Sequence, residues 1–175
     1  CQHSVHDIIR HKDVTVSAEI YQTGQFALVG WAAAAIIMAL LWAIARNIHN
    51  HGIVDVGWTY LVGTLGLVYA VSGSGAPLRR AIVAALCGIW AVRVGTYLLR
   101  DRVMGRREDG RYATLRESWG RAADARFFWF YQAQGLAAVF FAMPALFPSL
   151  NPAAALTPLE WIAMLVWLIG VVGES

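Results

Sequence analysis

The sequence predicts an all-α, multipass transmembrane helical bundle of about five helices. Two observations carry that prediction. Hydrophobic residues make up 58% of the 175 positions and Asp, Glu, Lys and Arg only 14%, against roughly 45–50% and 25% in soluble domains. The surplus comes in long unbroken blocks rather than an alternating pattern, with a mean hydropathy of +0.52. Such blocks are helices rather than barrel strands, because a helix satisfies every backbone group within its own segment in lipid. Disorder, collagen and a disulfide scaffold are excluded by the same composition.

Taken in order, residues 1–25 form a polar N-terminal tail without apolar periodicity, and 26–175 form the transmembrane domain. Residues 26–45 are the first span: twenty positions without a charge, about 30 Å of helix at 1.5 Å per residue. Residues 56–72 are the second, and 81–99 the third, interrupted only by Arg93. Residues 127–147 are the fourth and 159–173 the fifth. The chain starts at Cys1 rather than Met and stops at Ser175 as an apolar run finishes, so it is expected to be cut short at its C-terminus.

Charge sets the expected orientation. The segment 100–126 holds eight arginines, at 100, 102, 106, 107, 111, 116, 121 and 126, and loops rich in Lys and Arg stay cytoplasmic. Alternation then places the 46–55 connector inside, and the N-terminal tail, the 73–80 turn and the 148–158 loop outside. The net charge of +3 is a topological signal, not a nucleic-acid footprint. Cys1 and Cys87 cannot build a disulfide framework. His3, His6, His11, His49 and His51 lack the carboxylate or thiolate partners of a metal site, so no metal is expected.

Polar residues at membrane depth are the candidate site. Arg93 lies inside the third span, where a charge costs about 2.5–3.5 kcal/mol on insertion scales. Tyr97 and Arg100 follow at i+4 and i+7 on the same helical face. That face suits a phosphorylated or carbonyl-bearing ligand; a snorkelling anchor is the bland alternative. Asp55 opens the second span, as a helix cap or as a carboxylate facing Arg93. Gln132 and Gln134 in the fourth span read as interhelical hydrogen-bond glue.

Six pieces in order resemble the steroid 5-alpha-reductase-like family of multipass membrane proteins, in its bacterial branch of uncharacterised members. They are Ile53-Val54-Asp55-Val56-Gly57-Trp58; Ile89-Trp90-Ala91-Val92-Arg93 with Tyr97 and Arg100; Glu108-Asp109-Gly110-Arg111-Tyr112; Arg116-Glu117-Ser118-Trp119-Gly120; Phe127-Phe128 with Gln134-Gly135; and Leu159-Glu160-Trp161 through Gly173-Glu174. The resemblance covers roughly 52–174. It implies reduction of a carbon–carbon double bond conjugated to a carbonyl, with NADPH bound from the cytoplasmic side and a hydrophobic, lipid-like or steroid-like substrate. By that resemblance Asp55, Arg93 and Tyr97 are the catalytic candidates; Arg100, Arg111 and Glu174 would face the cofactor, and Gln134 the substrate. The clearest cofactor signature of the family lies beyond Ser175, so this stretch alone is expected to be inactive. A membrane methyltransferase of the isoprenylcysteine type, using S-adenosylmethionine, and a non-catalytic membrane scaffold are the alternatives. The membrane is expected to be a bacterial inner membrane.

Overall fold

The computed structural model describes the backbone of residues 2–173 and the side chains of 24, 25 and 27–173. The fold is all-helical, with no strand among the described residues. The helices are α1 (Gln2–Ile48), α2 (Ile53–Ser72), α3 (Pro77–Arg102), α4 (Gly110–Trp119), α5 (Ala123–Ala142), α6 (Leu146–Leu150) and α7 (Pro158–Gly173). Single 3₁₀ turns, Gly120–Ala122 and Met143–Ala145, join α4 to α5 and α5 to α6. The backbone of α1 is helical from Gln2 onward, so the polar N-terminal segment continues into the first span without a break.

Among the described residues, four helical stretches are long and apolar enough to cross a membrane: Ala27–Ile48, Ile53–Ser72, Pro77–Arg102 and Gly110–Leu150. The fifth expected span is present as α7, but its 16 residues reach only about 24 Å. The third span is longer than the 81–99 read from the sequence, because charged residues at both ends stay in the helix. The basic 100–126 segment is a second departure. It is mostly helix and one turn, with an irregular loop only at 103–109. Asp109 starts α4 by accepting the backbone N–H of Arg111 at 3.0 Å, a standard N-cap contact.

Short connections dictate the topology. α1 ends with the Asn50 N–H bonded back to the Ala45 carbonyl at 3.1 Å, and His49 takes φ 52°, a left-handed position usually given to Gly or Asn. The connectors 49–52 and 73–76 are too short for anything but antiparallel neighbours. α2 sits centrally, packed on α1, α3 and α5. Lipid removes most of the hydrophobic drive between spans, so close van der Waals packing of small residues must hold them. Gly63 and Gly66 face Ala91 and Cys87 of α3 so closely that a Cβ at either glycine would overlap its neighbour. On the other side Met38, Leu65, Phe127, Tyr131 and Ala138 interdigitate between α1, α2 and α5. In contrast, α7 buries none of its residues. The bundle therefore has two polar ends, one around Asp55 and the other around Arg79.

Candidate functional site

Asp55 lies in the first turn of α2, where the N-terminal dipole favours a carboxylate. Its Oδ1 accepts the Tyr112 hydroxyl at 2.9 Å. Its Oδ2 accepts Arg102 Nη1 and Arg111 Nη2 at 3.3 Å. The arginine that answers Asp55 is thus Arg102, at the end of α3, together with Arg111 of α4; the pairing with Arg93 expected from sequence is replaced. The reason is geometric. Asp55 sits at the very start of α2, level with the last turn of the antiparallel α3, and Arg93 lies more than two turns deeper.

A second carboxylate braces the first. Asp109 Oδ1 and Oδ2 accept Arg111 Nε at 3.2 Å and Nη2 at 3.0 Å, and Arg102 Nη1 lies 3.8 Å from Oδ2. Hydrogen bonds from the Arg111 side chain and then its backbone N–H hold the Asp109 carboxyl below the usual carboxylate range. Asn50 locks the same corner, donating to the Arg102 carbonyl at 2.9 Å and accepting from Gly52 N at 2.9 Å.

Next to it, Glu108 Oε1 accepts the backbone N–H of His51 at 3.0 Å and Arg116 Nη2 at 2.7 Å. The His51 ring, 1% exposed, stacks on Phe127 at 3.7 Å between centroids and 10° between planes. Its Nδ1 stands 3.3 Å from the Tyr131 hydroxyl. Burial pushes the imidazole down to about 4, so it is neutral at physiological pH.

Arg93, Tyr97 and Arg100 line one groove, of about 500 Å³, with Thr96, Asp101 and Arg106. The helical face expected from their spacing is therefore real. Three guanidinium groups against a single carboxylate form a donor set suited to phosphate oxygens. Tyr60 supports the groove wall, its hydroxyl 3.1 Å from Thr96 Oγ1. Toward the bundle centre, another face of α3 borders an apolar cleft. Val83, Leu86, Cys87 and Trp90 line a cleft of about 410 Å³, closed by Trp58 and Val62 of α2, Phe141 of α5 and Trp167 of α7.

Other candidates separate. Arg111 joins Asp55 rather than the groove. Gln134 is half-buried on α5, outside the lining of either cavity. Its neighbour Gln132 donates to the Ala35 carbonyl at 3.4 Å, the interhelical glue expected of it. Glu174 lies outside the described residues. Sequence reading missed Arg102, Tyr112, Glu108, Arg116 and the structural part played by His51. Each meets its partner only through tertiary packing, though the runs 50–55 and 108–112 were a signal, since both carry unusual polarity beside span ends.

A family model described as "Protein of unknown function (DUF1295)" matches residues 41–175. No curated protein matches the chain, and no solved structure matches it.

Proposed function

Because the chain belongs to the DUF1295 family, whose function is unknown, we propose from its own chemistry that it is a membrane-embedded, NADPH-dependent reductase. Its substrate is a hydrophobic lipid-like or steroid-like molecule with a double bond conjugated to a carbonyl. One observation carries the reading. Along α3, the lining of an apolar cleft (Val83, Leu86, Trp90) ends within one turn of where a basic, aromatic groove (Arg93, Tyr97, Arg100) begins. An apolar substrate body in the cleft and a phosphate-bearing nucleotide in the groove would approach each other at that point of the helix.

NADPH would supply a hydride to the β-carbon, being oxidised to NADP⁺ in the exchange. The α-carbon then takes a proton from solvent, and no further reactant is needed. Negative charge grows on the carbonyl oxygen meanwhile, and Arg93 and Tyr97 are the donors placed to stabilise it. Arg100 and Arg106 hold phosphate oxygens. Asp55 acts through its partners, fixing Tyr112, Arg102 and Arg111 at the rim. Trp58, Trp90 and Phe141 would surround the apolar body of the substrate.

Calorimetric titration of the full-length protein in lipid nanodiscs with NADPH, and separately with S-adenosylmethionine, tests the reading. NADPH should bind, and Arg93→Leu should insert normally yet lose at least tenfold in affinity. Binding of S-adenosylmethionine alone would make the protein a methyltransferase, and binding of neither would leave a scaffold.

The proposed setting is a bacterial inner membrane with the Asp55 end cytoplasmic. Ser118 and Ser74 are exposed near opposite ends of the bundle. Ser74→Cys should react with an impermeant maleimide added outside intact cells, and Ser118→Cys should not. The reverse pattern would invert the orientation.

A further inference from the structure

His51 has a ring nitrogen that the protein leaves unanswered. Nε2 is buried without a hydrogen-bond partner, although the ring is only 1% exposed. The Tyr131 hydroxyl has one hydrogen and directs it to the His51 carbonyl at 3.3 Å. Toward Nδ1, also at 3.3 Å, that oxygen is left as an acceptor. That arrangement calls for the imidazole hydrogen on Nδ1 and a bare lone pair on Nε2. A buried acceptor left without a donor is destabilising, and the stacked Phe127 face supplies none.

A complementary atom stands in the same cluster. Arg116 Nε is a buried donor that also lacks a partner, while Nη2 of that guanidinium bonds Glu108 Oε1. The His51 backbone N–H bonds that same Oε1. The two residues that carry the unmatched acceptor and the unmatched donor are thus tied to one carboxylate oxygen. Among the described residues no three His, Cys, Asp or Glu side chains gather as metal ligands, so a cation does not fit. A small neutral molecule that both accepts and donates does.

We infer that His51 Nε2 and Arg116 Nε hold one enclosed water between the 49–52 connector and α4. The water accepts from the guanidinium and donates to the imidazole, and two to four partners is the usual range for a buried water. The site is separate from the Arg93 groove and does not depend on the proposed reaction.

Magic-angle-spinning NMR of the full-length protein in lipid bilayers, labelled with ¹⁵N-histidine, tests this directly. The His51 Nε2 signal should have the unprotonated, pyridine-type shift, with Nδ1 protonated. Magnetisation started on water should reach the His51 ring protons far faster than those of Phe127. A protonated Nε2, or a His51 ring that receives water magnetisation no faster than Phe127, would overturn the inference. Arg116→Lys, which removes the donor but keeps the charge, should slow that transfer several-fold; an unchanged rate would also count against it.

Discussion

The guanidinium of Arg79 meets the carboxylate of Glu160 side by side, Nε to Oε1 at 2.6 Å and Nη2 to Oε2 at 2.8 Å. Arg79 is 2% exposed. Two further donors go to the carbonyls of Ala153 and of Ala155, the latter at 2.6 Å. Glu160 in turn accepts Thr157 N at 2.7 Å. α7 buries no residue of its own, and this fork ties its first turn to α3.

Removing one partner of such a pair leaves the other charge unanswered, which costs more than removing both. Glu160→Ala should lower the melting temperature in detergent by several degrees. Arg79→Leu combined with Glu160→Leu should recover part of the loss. Equal melting of the single and double variants would show that the fork carries little.

At the opposite end, Asp55→Asn should cost about 2–3 kcal/mol, since charge-assisted bonds to two arginines weaken together. Tyr112→Phe removes one hydrogen bond and should cost about 1 kcal/mol. Denaturant unfolding in mixed micelles measures both, and a larger effect for Tyr112→Phe would contradict this ordering.

Acid should weaken the fold through His51. Its folded value, about 4, lies below the ordinary 6.5, so between those limits the unfolded chain binds the extra proton. The stabilisation is complete above pH 6.5 and is lost as pH falls toward 4, with a ceiling of about 3 kcal/mol. His51→Phe, which keeps a ring on Phe127 but cannot titrate, should flatten that part of the stability–pH curve. Loss through Asp109 follows only at lower pH, because its carboxyl is held below its usual range.

Gly63 tests the contact between α2 and α3. Gly63→Ala would drive a methyl into Ala91 Cβ, and overpacking of this kind costs about 1–3 kcal/mol. Adding Ala91→Gly should restore most of the stability. Failure of that rescue would place the strain elsewhere, the Cys87 carbonyl at 3.2 Å being the next contact.

The spans were legible because an apolar run long enough to cross lipid has few alternatives. The shared face of Arg93, Tyr97 and Arg100 was legible too, since helical spacing alone brings i, i+4 and i+7 together. The partners of Asp55 were not. Arg102 and Tyr112 stand 47 and 57 positions away in sequence, and hydropathy does not say which helix ends lie level. The 100–126 segment misled for a related reason. Its alternating charges resemble a solvated loop, yet Asp109 caps a helix and Arg111 and Arg116 find carboxylates across the bundle end. Arg79 lies in the 73–80 stretch read as an outside turn, and only the position of α7 reveals its carboxylate.

The same fork also constrains the order of biosynthesis. Glu160 follows Arg79 by 81 positions, so at roughly 5–20 residues per second the ribosome makes Arg79 about 4–16 s before its counter-charge exists. Arg79 is the third residue of α3, close enough to the helix start to wait in interfacial water. Drawing it into the bundle is therefore a late event, coupled to the arrival of α7 rather than to the insertion of α3. A nascent chain halted before Glu160 would hold its first spans but keep this end of the bundle open.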